Sequence, residues 1–204
     1  MNLSIYFVTP ELPEGALVEL VMQAARGGVN VVQLRDKSSS DEDMIRRAKH
    51  LVALLNHYSI PLIINDRLNV ALASGAAGLH VGQGDRPVTE MRAALGPNKL
   101  LGLSIENVEQ LRKMPLGIVD HIGVGPVRAT PTKLDHATPL GFEGLAEIIA
   151  ASPVPAVAIG GLKLTDVAAV KRAGARGMAV VSAIANAENP EQATRSFVES
   201  WRLA

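Results

Sequence analysis

Cysteine is absent from the 204 residues, which excludes disulfides and thiolate metal sites and fits a reducing compartment. A charge excess of either sign is also absent, since 20 Lys+Arg stand against 20 Asp+Glu. No global basic field exists to hold nucleic acid or an anionic membrane, so any electropositive site must be local. No apolar run approaches the roughly 18 residues of a membrane span. Met1 to Pro10 has no basic flank and too short an apolar run for a signal peptide. The expectation is a soluble cytoplasmic protein with small-molecule partners. Hydrolytic machinery is missing as well: there is no Ser-His-Asp arrangement, no metalloprotease histidine pair and no Walker loop. No linker, low-complexity tract or charge run divides the chain, so one domain over residues 1–204 is expected.

What the sequence does have is a repeated alternation of short apolar runs and helical patterns. Residues 4–9 form a β-prone run ended by Pro10, after which Leu17, Leu20, Val21 and Ala24 recur at helical spacing. Val29–Leu34 reads as a second buried strand, and Ser40-x-x-Asp43 resembles a capping box opening a helix with Met44, Ala48, Leu51, Val52 and Leu55 on its buried face. Strands follow at 60–64, 77–81, 100–103, 121–124, 156–159 and 178–181. Helical patterns lie between them at 68–73, 87–95, 107–113, 142–150 and 165–173, and a last one at 190–203. Arg26-Gly27-Gly28-Val29, Ser74-Gly75-Ala76-Ala77 and Ala173-Gly174-Ala175-Arg176 repeat one helix-to-strand junction. Apolar, non-alternating strands argue for parallel strands buried on both faces. The predicted fold class is α/β, a single-domain compact (β/α)8 TIM barrel, with a doubly wound open sheet as the alternative.

In a barrel, chemistry gathers at the carboxyl ends of the strands. Those ends carry Gln33-Leu34-Arg35-Asp36-Lys37, Asn65-Asp66, Gln83-Gly84-Asp85, Ser104, the loop from Gly125 to Pro139, Gly160-Gly161, and Val181-Ser182. The long loop brings the hydroxyls of Thr130 and Thr132, the ammonium of Lys133 and a run of backbone N–H groups, stiffened by prolines. Such a set can clamp phosphate oxygens, although the stretch by itself also reads as a polar turn. Gln33, Arg35 and Lys37 alternate along an extended segment and would share one face, apt for a diphosphate. Asp66 and Asp85 sit at neighbouring strand ends, where two carboxylates plus substrate phosphates would hold Mg²⁺; each alone reads as a helix N-cap. Gly160-Gly161 permits close backbone approach to an anion, and the frequent barrel phosphate site follows strands seven and eight. Of the histidines, His50, His57, His80 and His121 read as structural, and only His136 is a candidate ligand contact.

With these motifs in order along nearly the whole chain, the sequence resembles the thiamine-phosphate synthase (thiamine-phosphate pyrophosphorylase) family. The resemblance runs through Gln33 to Lys37, Asn65-Asp66, His80-Val81-Gly82-Gln83-x-Asp85, Gly102-x-Ser104, Gly125-Pro126, Thr130-Pro131-Thr132-Lys133, Ile159-Gly160-Gly161 and Val180 to Ile184. It implies coupling of hydroxymethylpyrimidine diphosphate to thiazole phosphate, giving thiamine phosphate and pyrophosphate, with Mg²⁺ as cofactor. By motif, Gln33, Leu34, Arg35, Asp36, Lys37, Asn65, Ser104 and Lys133 would hold the pyrimidine diphosphate, with Arg35, Lys37, Ser104 and Lys133 in catalytic roles. Asp66 and Asp85 would bind Mg²⁺; Thr130, Pro131, Thr132, Gly161, Val181 and Ser182 would surround the thiazole phosphate. The chain departs from the family pattern in Ile105-Glu106 after Ser104. A related thiazole tautomerase shares the fold, but a histidine is expected there where this chain has Pro126. A non-catalytic sensor of phosphorylated ligands is the alternative from another class, and a homo-oligomer is left open.

Overall fold

The computed structural model describes residues 1–129 and 138–204. Eight strands, β1 (Ile5–Val8), β2 (Val31–Leu34), β3 (Leu62–Asn65), β4 (Gly78–Val81), β5 (Leu100–Ile105), β6 (His121–Val124), β7 (Ala156–Ile159) and β8 (Gly177–Val180), pair in parallel in sequence order. The β1–β8 pairing, with Tyr6 opposite Ala179, closes the barrel and rules out the open sheet. Helices α1 (Glu14–Arg26), α2 (Asp41–Asn56), α3 (Leu68–Ser74), α4 (Val88–Leu95), α5 (Val108–Lys113), α6 (Gly141–Ala151) and α7 (Val167–Arg172) connect successive strands. α8 (Ser182–Ala185) and α9 (Pro190–Leu203) complete the outer ring.

The local rules that suggested these elements operate in the structure. Ser40 Oγ accepts the Asp43 N–H at 3.2 Å and starts α2. Gly75 and Gly174 take φ of +78° and +90° where helix gives way to strand, a conformation in which a Cβ would be strained. Two details differ. The pattern at 165–173 divides into a 3₁₀ turn at Leu164–Asp166 and the shorter α7, and a four-residue helix, α8, begins directly after β8. Such a helix is too short to declare a periodic apolar face.

Two cores follow from the two-residue period of the strands. Side chains such as Ile5, Phe7, Val32, Leu34, Ile64 and Leu79 face outward and pack under the helices. Leu3, Tyr6, Val8, Val31, Ile63, Val157 and Ala179 fill the barrel interior. Toward β4–β6 the interior is opened by glycines: a Cβ on Gly102 would lie 2.3 Å from His80 Nδ1 and 2.5 Å from His121 Nε2. The missing side chain there is what admits two imidazole rings to the barrel. Among the described residues no helix is long and apolar enough to cross a membrane.

Candidate active site

A cavity of about 530 Å³ opens at the carboxyl ends of the strands. Its wall contains Gln33, Arg35, Lys37, Asn65, Asp66, Gln83, Asp85, Ser104, Gly161, Val181 and Ser182, so residues from six strand ends converge on one space. Leu34 and Asp36 are not in that wall. Leu34 has opposite parity to Gln33 and is fully buried in the outer core. Asp36 is buried beneath the loop: its carboxylate accepts from the N–H and hydroxyl groups of Ser38 and Ser39, at 2.6 to 3.1 Å, and pairs with Arg47 at 2.8 Å. Burial alone would raise this carboxyl, but the hydrogen bonds from Ser39 and Ser38 outweigh burial and bring it down to about 2. The structure therefore gives Asp36 a scaffolding position behind Arg35 and Lys37. Thr130, Pro131, Thr132, Lys133 and His136 lie outside the described residues.

The carboxylates of Asp66 and Asp85 face each other across the β3 and β4 ends. Asp66 takes φ of +60°, and its N–H donates to the His80 carbonyl at 2.8 Å. Asn65 Nδ2 donates to Asp66 Oδ1. Burial first, and then the charge of Asp85, push the Asp66 carboxyl up to about 6, against the opposing pull of Lys37 and Arg35. Asp85 Oδ2 accepts the Gly82 N–H at 2.7 Å. Among the described residues no group of three or more His, Cys, Asp or Glu side chains is placed to hold a metal. Two hard oxygen donors that repel one another suit Mg²⁺, which commonly takes one or two carboxylates and completes its shell with water and substrate phosphates.

The floor lies inside the barrel and is polar, which the sequence reading missed. Tyr6, His80 and His121 all line the cavity. Gln33 Nε2 donates to Tyr6 Oη at 2.8 Å, and His80 Nε2 lies 3.0 Å from Ser104 Oγ. The two imidazoles are 5.6 Å apart between ring centroids. Burial, helped by His121, lowers His80 to about 3; burial, partly offset by Asp120, lowers His121 to about 4. Both rings are therefore neutral at physiological pH and offer hydrogen bonds rather than charge. Register is what places them, and the sequence does not carry it: Tyr6, His80 and His121 each stand opposite inward residues of the neighbouring strands.

The opposite wall is built for close backbone approach. Gly160 and Gly161 have φ of +102° and +64°, and a Cβ on Gly161 would lie 2.4 Å from the Ala129 carbonyl oxygen. Val181 and Ser182 come directly after the next strand, β8, with Ser182 opening α8. The first N–H groups of a helix have no partners within it, and together with the glycine turn they offer donors to an anion. Ile105 points into the outer core, whereas Glu106 lines the cavity.

The chain as a whole has counterparts. A family model described as thiamine monophosphate synthase matches residues 5–184. Thiamine-phosphate synthase of Azorhizobium caulinodans is 45% identical over 198 residues, 96% of this chain and 93% of that protein. The enzyme of that name from Albidiferax ferrireducens is 45% identical over 190 residues, covering 92% and 87%. Among solved structures, thiamine phosphate pyrophosphorylase from Pyrococcus furiosus superposes with a TM-score of 0.87 at 30% identity, over 99% of this chain and 96% of that one. A 3-hexulose-6-phosphate synthase, at 17% identity and a TM-score of 0.69, shares the fold alone. The closed barrel, the ordered rim motifs and these end-to-end similarities place the chain in the thiamine monophosphate synthase family, among the transferases of thiamine biosynthesis.

Proposed function

We propose that the cavity takes a hydroxymethylpyrimidine diphosphate and a thiazole phosphate together and joins them, releasing pyrophosphate and forming thiamine phosphate. The observation that carries this reading is that one cavity is lined both by Arg35 and Lys37 with the Asp66–Asp85 pair and by Gly161, Val181 and Ser182, two sets suited to two anions. Gln33, Asn65 and Ser104 line the same cavity and would orient the pyrimidine. Lys133, with Thr130, Pro131 and Thr132, would complete the two sets as the sequence motif suggests.

Asp66 and Asp85 would hold Mg²⁺, which when bound supplies charge neutralisation to a diphosphate leaving group. Arg35 and Lys37 add fixed positive charge where negative charge develops on the departing pyrophosphate. His80 and His121 are poor proton acceptors, because burial disfavours the imidazolium that each would become and holds both rings well below the usual histidine range. No general base is needed, since the thiazole nitrogen already has its lone pair. The residues then act by positioning, by electrostatic stabilisation and by excluding water while the C–O bond to diphosphate breaks and the C–N bond to thiazole forms. A purely ligand-sensing role would leave the facing carboxylates without a purpose.

The test is incubation of the purified chain with both substrates and Mg²⁺, followed by chromatographic detection of thiamine phosphate and pyrophosphate. Stoichiometric appearance of both is expected. Absence of product under conditions where both substrates bind would defeat the proposal.

A further inference from the structure

The loop after β6 leaves and re-enters the barrel through a stitched base. Going out, the Val127 N–H donates to the Ile159 carbonyl at 2.9 Å and the Arg128 N–H to the Gly160 carbonyl at 3.0 Å. Coming back, the Leu140 N–H donates to Pro126 O at 2.8 Å and the Gly141 N–H to Val127 O at 3.0 Å. The Arg128 side chain crosses this base. Its Nη2 and Nε donate to the two oxygens of Asp166 at 2.7 and 3.1 Å, and the guanidinium lies 5.2 Å from the centroid of the Phe142 ring. Asp166 sits in the 3₁₀ turn beyond β7 and also accepts the Lys163 N–H at 2.9 Å.

The two ends of this pair differ in exposure. The Arg128 side chain is 50% exposed and that of Asp166 only 6%. An ordinary surface pair contributes little, but a two-pronged bond onto a buried carboxylate fixes geometry as well as charge. The Gly160-Gly161 turn packs against Arg128, so close that a Cβ on Gly161 would lie 2.9 Å from Arg128 Cβ. Neither Arg128 nor Asp166 lines the cavity, whereas Gly160 and Gly161 do.

We propose that Arg128 and Asp166 are positioning residues for the phosphate side of the site: their bond holds the Gly160-Gly161 turn against the base of the β6 loop and so sets affinity for the thiazole phosphate without touching it. The inference rests on the assignment of that phosphate to the Gly161 and Ser182 side. It extends that assignment to two residues outside the cavity wall, Arg128 in the loop after β6 and Asp166 in the 3₁₀ turn after β7, with the Phe142 ring of α6 beside the guanidinium.

Steady-state kinetics of Arg128→Gln and Asp166→Asn, varying each substrate separately, test it. Each variant should raise KM for the thiazole phosphate about tenfold, with KM for the pyrimidine diphosphate and kcat at saturating thiazole phosphate little changed. The double variant should be no worse than the singles, because both changes break one bond. Equal rises in both KM values, additive losses, or a lowered melting temperature with no KM split would overturn the inference. Should Asp166→Asn fail to fold, Arg128→Gln and Arg128→Lys at the half-exposed end carry the test, with Arg128→Lys intermediate because one ammonium cannot reproduce the fork. A wild-type chain that makes no thiamine phosphate would overturn the functional reading and this inference together; an active wild type whose variants show no split overturns the inference alone.

Discussion

His80 Nε2 lies 3.0 Å from Ser104 Oγ, joining β4 to β5 inside the barrel beneath the cavity. Because the ring is held neutral, it can accept the serine hydroxyl's proton or donate to its oxygen, according to tautomer. Where the hydroxyl donates to the ring, its oxygen lone pairs stay available to the substrate. Ser104→Ala removes that contact and leaves a buried ring nitrogen without its partner. It should lower kcat/KM for the pyrimidine diphosphate by about tenfold, the magnitude of one lost hydrogen bond. KM for the thiazole phosphate, measured in the same assay, should stay near the wild-type value.

His121 makes the fold sensitive to acid. Its pKa falls from 6.5 in the unfolded reference to about 4 in the fold through burial, with Asp120 opposing. Between those values the unfolded chain binds a proton that the folded chain refuses, so stability rises with pH across the window. It is complete above about pH 6.5 and is lost as pH falls toward about 4. His121→Phe abolishes this term. Urea denaturation at about pH 7 and about pH 5 should show the variant losing less stability than wild type, by on the order of 2 kcal/mol. An identical loss in both proteins would mean that His121 is not buried neutral.

The facing carboxylates should govern the metal requirement. Asp66→Asn and Asp85→Asn each take one hard donor from a site where, among the described residues, no group of three or more His, Cys, Asp or Glu is placed to hold a metal. The Mg²⁺ concentration for half-maximal activity should rise about tenfold or more in each variant. Full activity at limiting Mg²⁺ would remove these residues from the site.

Asp36 tests whether the loop after β2 acts through its scaffold. Asp36→Asn weakens the bond to Arg47 and the acceptance of the Ser38 and Ser39 N–H groups, while both cations, Arg35 and Lys37, remain in the chain. Thermal denaturation should show a loss of stability of about 1 to 3 kcal/mol. KM for the pyrimidine diphosphate should rise while KM for the thiazole phosphate does not, as expected if the network orients the two cations.

Electron supply from the pyrimidine should control the rate if the diphosphate departs before the thiazole attacks. Replacing the ring methyl with trifluoromethyl withdraws electrons from the developing cation. Single-turnover kinetics should then slow by orders of magnitude, about 1.4 kcal/mol of added barrier for each factor of ten. An analogue that reacts as fast as substrate, with chemistry limiting, would favour direct displacement.

The sequence by itself determined the order and kind of the elements, because helices and strands announce themselves through local periodicity and through glycines such as Gly75 and Gly174 at the junctions. It also determined the rim, since Gln33 to Lys37, Asn65-Asp66, Asp85, Ser104 and Gly160-Gly161 each lie at or just beyond the carboxyl end of a strand. Tertiary structure alone decided which faces of those strands look inward. A parallel strand buried on both sides carries apolar residues at both parities, so the paired valines of Val31–Leu34 do not say which of them faces the barrel interior with Gln33 and which packs under the helices with Leu34. Only the closed register, β1 against β8, fixes that parity around the ring, brings Tyr6, His80 and His121 to the floor, and sets Asp66 against Asp85. Local signals reach a few residues along the chain, whereas these contacts depend on strands far apart in sequence meeting in one register.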